Sequence, residues 1–390
     1  MHILALILGL LFIYTVLFDA FQTIILPRRA SNRFRVTAIF YRLTWKPWVA
    51  ATQLMHSPKK RETVFSFYGP LSLLLLLVIW AIGLVFSFAL FYYAAGTPFS
   101  DPLGRRAFET ALYVSGTTMF TLGLGDVVPQ NIIVRELIVA QSGLGLAFLA
   151  VVIGYVPVLY NAFSRREVSI SLLDARAGSP PTAAELMLRH AYAGGDEALT
   201  ILFTEWERWS AELLESHISY PLLCYFRSQH DNQSWISALT AILDASALSI
   251  AVAKTNAARQ AQLTFAMARH AVVDLSQIFS GGRRPPGFGQ PVAARMSADN
   301  FELLRNQLVQ AGVMVCADPA SLDRLAELRG MYESHVQLLS DYLCMPLPPW
   351  VAEHPLRDNW RTVARLRSET EAIAAVQPST LTHDEEHHAY

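Results

Sequence analysis

The sequence predicts an all-α membrane protein with three transmembrane helices, a short re-entrant helix before the third, and a cytoplasmic all-α helical domain. Three observations carry this. The chain of 390 residues is 53% hydrophobic and only 16% charged, with a mean hydropathy of +0.30, which is too apolar for an ordinary soluble protein. The excess falls in three long apolar runs within the first ~165 residues, each long enough for a bilayer that takes about 20 residues to cross. Charge divides at the same place: residues 1–170 hold 14 Lys/Arg against 7 Asp/Glu, and residues 171–390 hold 17 against 25. A basic membrane portion suits an anionic inner leaflet, and the mildly acidic remainder gives no ground for nucleic-acid binding.

The first run, Ile3 to Leu26, starts without a basic segment and ends at Pro27-Arg28-Arg29 with no small-residue cleavage site, so it reads as an uncleaved helix. Asp19 is the acidic residue inside it, either a functional group or a carboxylate reaching the interface. The next stretch, Pro27 to Phe67, carries nine Lys/Arg against Glu62 alone and should be cytoplasmic. Its middle, Val36 to Ala50, mixes Phe40, Tyr41, Trp45 and Trp48 with basic residues. That pattern fits a helix in the headgroup layer, and equally an aromatic belt flanking two spans.

A second run, Pro70 to Tyr93, ends in Phe91-Tyr92-Tyr93, suited to the outer interface. The third, Ile132 to Phe163, is closed by Arg165 and Arg166 and should return to the cytoplasm, leaving the amino terminus outside. These runs set the domain boundaries: 1–66 for the first span and its basic segment, 67–164 for the second and third spans, and 165–390 for the helical domain. No span carries Arg or Lys at every third position, so no voltage sensor of the usual kind is expected.

Between the last two spans, residues 107–120 have helical apolar spacing but are too short for a ~30 Å core, so this segment must re-enter. Glu109 suits the positive end of that helix. Irregular backbone at membrane depth is tolerated only where it is packed in protein or lines water, so the glycine-rich stretch after it should face a pore.

That stretch, Thr118-Met-Phe-Thr121-Leu122-Gly123-Leu124-Gly125-Asp126, resembles the T-x-x-T-V-G-Y-G-D signature of potassium channels. The resemblance covers residues ~68–163 and includes Pro129 after the signature. It implies that carbonyls of Thr121, Leu122, Gly123 and Leu124, with the Thr121 hydroxyl, replace the hydration shell of K+, the permeant ion, and that Asp126 sits behind the filter at the outer mouth. Four-fold closure into a homotetramer is implied in the same way. Gly145 falls where the family has its inner-helix hinge, and Gly154 and Pro157 lie deeper, where a proline kinks a helix. Leu124 departs from the usual tyrosine and lacks the hydroxyl that could tether the filter to its surroundings.

The remainder reads as helices with recognisable ends. Thr182-Ala-Ala-Glu185 is a capping box, Gly194-Gly195 is read as closing that helix, and Asp318-Pro319 caps another. Helical stretches are expected at ~196–217, 234–256, 258–280, 298–312, 320–344 and 358–375, with Gly281 to Gly289 as a loop. Trp235 to Ala253 contains Asp244 and several Ser/Thr and reads as a buried bundle helix, not a fourth span.

No glycine-rich phosphate loop, nucleophile elbow or paired metal-ligand helix is present, so neither an enzyme nor a cofactor is expected. His217, Cys224, His230 and Asp231 match no metal spacing and read as structural. The three cysteines, Cys224, Cys316 and Cys344, are far apart and suit a reducing cytosol. The expected function is a potassium-selective channel subunit, gated through the helical domain by an unidentified ligand or protein and otherwise surrounded by membrane lipids. The alternatives are a weakly selective cation channel, or a receptor or scaffold with a non-conducting pore.

Overall fold

The computed structural model describes residues 1–26, 35–229, 232–280, 286–289, 292 and 295–352. The expected helix at 358–375 lies outside them, as does most of the loop at 281–289. The all-α architecture holds: twelve α-helices are described, with one two-stranded ribbon. Three of them, α1 (His2–Ile24), α3 (Pro58–Ala94) and α5 (Ile132–Ala177), are long and apolar enough to cross a membrane, so this is a multi-pass membrane protein.

Two compact units divide the chain. The first comprises Met1–Arg166 together with Leu213–Ser228, and the second Glu167–Glu212 with Gln229–Tyr390. A boundary at 165 drawn from the sequence puts residues 213–228 with the helical domain, whereas they belong to the first unit. Apolar content alone could not assign them, because this segment is short and its partners are remote in sequence.

In the first unit, α1 packs along α3, and α2 (Val36–Gln53) covers the aromatic stretch read either as a helix in the headgroup layer or as a belt flanking two spans. Asp19 explains the join. Its carboxylate is 2% exposed, accepts from the Trp80 indole at 2.9 Å, from Thr37 N at 3.1 Å and from Thr37 Oγ1 at 2.6 Å, and pairs with Arg35 at 3.5 Å. An acid from α1 therefore caps the amino end of α2, whose own N-cap residue Arg35 supplies no capping side chain. The carboxylate is enclosed by protein. Removing one partner of such a buried, hydrogen-bonded pair costs about 3–5 kcal/mol. Asp19→Ala should accordingly lower the thermal unfolding midpoint in detergent by several degrees, whereas Leu43→Ala, at a side chain 68% exposed, should leave it unchanged.

The second unit is built around α8 (Trp235–Ala251), buried along nearly its whole length and packed by α6 (Ala183–Arg189), α9 (Ala258–Ser280), α11 (Pro319–Gly330) and α12 (Glu333–Leu343). Asp244, which argued against a fourth span, is fully buried and meets Arg295 at 2.5 Å and the Tyr332 hydroxyl; Arg295 and Arg329 both reach Glu333. Burial pushes the Glu333 carboxyl up, and the two guanidiniums beside it oppose that.

Capping agrees with expectation at Thr182, which accepts from Glu185 N, and at Asp318, which accepts from Ser321 N. Two expectations change. The expected helix at 320–344 is two helices, broken at Met331 and Tyr332. Gly194-Gly195 does not close the capped helix, which ends at Arg189; Gly195 is the first residue of α7 (Gly195–Ser219). Gly194, with φ of +85°, makes the turn between them.

Candidate functional site

The loop between α3 and α5 is framed at its outer edges by a small antiparallel ribbon, β1 (Phe99–Ser100) on β2 (Val128–Pro129). Inside that frame lies α4 (Ala107–Met119), the expected short helix. At its amino end the Glu109 carboxylate accepts from Arg106 N at 3.4 Å, placing the acid at the positive end of the helix dipole.

The end of α4 sets the conformation of the residues just after it. Leu122 N donates to Thr117 O at 2.8 Å, and Thr121 between them has φ of +55°. This is a Schellman-type stop, a place usually given to glycine. A threonine held there is conformationally costly.

Left-handed angles then recur at Gly123 (φ +54°) and Gly125 (φ +74°), while Leu122 and Leu124 are not among the described residues with positive φ. Alternation of the two hands along a chain turns successive carbonyls toward one side, the complement of the arrangement that points successive N–H groups together. Residues 121–125 thus hold three left-handed positions, at Thr121, Gly123 and Gly125, two of them filled by glycine. Both Leu122 and Leu124 are about 60% exposed in the single chain.

Next along the chain, Asp126 accepts from the Tyr113 hydroxyl at 2.8 Å and 3.0 Å, and the Arg105 guanidinium lies 4.3 Å from the Tyr113 ring centre. The α4 tyrosine thus holds Asp126, two residues after Leu124. Sequence reading passed over Tyr113; an aromatic hydroxyl on α4, thirteen residues before Asp126, was the available signal.

Residues 74–160 match a family model described as ion channel. The match supports an ion-channel domain. It spans most of α3, all of α4, residues 121–126, and α5 as far as Tyr160. The chain is also 29% identical over 191 residues to the uncharacterized membrane protein YdjJ of Bacillus subtilis (strain 168), an alignment covering 46% of this chain and 52% of that protein. The chain thus spans about half the length of the curated relative it matches. No solved structure matches.

On α5, Gly145 is tightly packed: a Cβ there would fall 2.6 Å from the Met119 carbonyl oxygen at the end of α4. Close approach demands a glycine at this position, whether or not the helix flexes there. Nothing lies within 4 Å of a Cβ at Gly154, and Pro157 sits inside the helix with its missing donor.

Where α5 reaches the end of the first unit, residues 213–228 pack beneath it. The Arg166 guanidinium, 4% exposed, donates to Leu223 O at 3.0 Å and Phe226 O at 2.9 Å and faces His217 Nε2 at 3.1 Å. The same segment holds α2 and α3. Tyr225 stacks on Tyr41 at 5.2 Å and meets Trp45 and Tyr68; Phe226 seats on Gly69, where a Cβ would fall 2.7 Å from the ring; and Arg227 pairs with Glu62 at 3.3 Å.

Burial and the neighbouring Arg166 hold the His217 imidazole well below its usual range, and burial raises the Cys224 thiol to about 12. His217 is thus occupied structurally. His230 and Asp231 lie outside the described residues, and among the described residues no three His, Cys, Asp or Glu converge as metal ligands.

Proposed function

We propose that the chain is one subunit of a potassium-selective channel, in which K+ passes along the carbonyls of Thr121, Leu122, Gly123 and Leu124. The observation that carries this reading is the alternation of left-handed backbone at Thr121, Gly123 and Gly125, directly after a short helix whose negative end faces the path. Asp126 and Gly125 complete the outer mouth.

One chain supplies one side of such a path, so a ring of copies is required, and a homotetramer is the closed form that the resemblance favours. Helix α5 supports it: only 11% of its most apolar window is buried within the chain, against 56% for α3. Leu146, Leu149, Ile153, Val156 and Tyr160 are exposed along it at alternating three- and four-residue spacing, a seam suited to other helices.

The basic segments before α3 and after residue 164 favour an inner-membrane orientation with the amino terminus outside and the helical unit in the cytoplasm. Gating is assigned to α5 below Gly145, with Gly154 and Pro157 absorbing the bend and residues 213–228 transmitting the state of the helical unit. Its stimulus is an unidentified ligand or protein.

Purified full-length protein in liposomes should release K+ down a gradient at least about tenfold faster than Na+, a discrimination worth about 1.4 kcal/mol. Equal rates would leave a weakly selective cation channel. No flux under any condition would leave a receptor or scaffold.

A further inference from the structure

Helices α4 and α5 of the channel domain are joined at two successive turns in one register. Gly145 lies against Met119, and four residues earlier Gln141 lies against Ser115. The second contact is polar and wholly enclosed, since Gln141, Ser115 and Tyr92 are each 0% exposed. The Gln141 amide nitrogen donates to Ser115 O at 3.0 Å and to Ser115 Oγ at 2.7 Å, and its oxygen accepts from the Tyr92 hydroxyl at 2.5 Å. Ser115 Oγ in turn donates to Val85 O at 2.7 Å. Both amide protons, the amide oxygen and both hydroxyls are thereby engaged, and the network links the outer helix at Val85 and Tyr92, the short helix and the inner helix.

An amide with no access to water in a membrane helix is costly unless fully paired, and a fully paired one fixes a single arrangement. An apolar residue would pack α4 without setting its height or rotation. The end of α4 dictates the Thr121 conformation, so a slip of α4 along α5 would displace every carbonyl of the path.

We propose that Gln141 is a positioning residue for ion selectivity: through Ser115 and Tyr92 it locks α4 to α3 and α5 and so holds the 121–125 carbonyls at the spacing that discriminates between cations. This rests on the reading of residues 121–126 as the filter. It supplies from behind the helix a rigidity that Leu124 cannot supply from the filter itself. It also makes α5 above Gly145 a fixed part of the filter scaffold.

The test uses full-length protein in liposomes, with K+ and Na+ efflux measured on the same preparations, and backbone amide exchange of residues 117–125. Gln141→Leu should lower the K+ to Na+ flux ratio about tenfold, the scale of losing one or two buried hydrogen bonds, and accelerate exchange in the segment. Tyr92→Phe, the milder variant should Gln141→Leu fail to assemble, should shift both in the same direction by less. The double variant should match Gln141→Leu alone, because the two side chains act as a unit. Unchanged ratio and exchange in both single variants, or strict additivity in the double, would overturn the proposal. A wild-type protein that passes both ions equally would instead overturn the potassium reading, and the exchange data would still decide whether Gln141 fixes the segment.

Discussion

Gly123→Ala should abolish K+ flux in liposomes while subunit assembly and thermal stability stay close to wild type. The reason is conformational and not steric within one chain, since nothing lies within 4 Å of a Cβ at this position. Gly123 has φ of +54°, where a residue with a Cβ is disfavoured by about 1–2 kcal/mol. In the proposed ring of four copies the penalty would apply four times to one short stretch of backbone, so relaxation to a right-handed angle is favoured and would turn carbonyls out of the proposed path. Flux within twofold of wild type would remove residues 121–126 as the filter. Gly145→Ala should behave differently. There the added methyl runs into the Met119 carbonyl, and the expected result is disturbed packing of α4 and lowered stability, not a clean loss of conduction.

The second large effect is expected at Arg166. Arg166→Met preserves much of the side-chain length but removes both bonds to the 223 and 226 carbonyls and the contact with His217. Hydrogen bonds from a charged group contribute about 1.5–3 kcal/mol each, so open probability should change at least about tenfold, while unitary conductance and selectivity stay fixed. Deleting everything after about residue 170 is the coarser form of the same experiment; it also strips the segment covering Tyr41, Trp45 and Gly69, so the point variant isolates the coupling better. A change in selectivity with Arg166→Met, or gating identical to wild type, would remove residues 213–228 as the transmitting element.

Acid provides an independent readout of this contact. The His217 pKa is depressed in the fold, so the imidazole is neutral there and takes up a proton more readily once released. The stability it contributes is present above its ordinary pKa of about 6.5 and is lost as pH falls below that value. The thermal midpoint of wild type should therefore drop between pH 7.5 and 5.5 by more than that of His217→Gln. Equal drops would show that His217 stays protected when the segment releases.

Legibility in the sequence tracked the range of the signal. The three spans, the short α4 and the glycine spacing at 123 and 125 were legible because each is set by local composition: apolar length against bilayer thickness, and a backbone angle only glycine adopts at low cost. Caps at Thr182 and Asp318 were legible for the same reason, their partners lying three residues away. Tertiary structure alone decided what the lone polar residues in the spans do. Asp19 finds Trp80, 61 residues on, and Gln141 finds Tyr92, 49 residues back, so neither pairing leaves a periodic trace in the chain. The return of residues 213–228 to the first unit was hidden likewise, since Arg166 meets backbone carbonyls, which every residue carries and no sequence pattern marks. Composition fixes which groups must be buried, whereas only the packed fold brings together the partners that offset the cost of burying them.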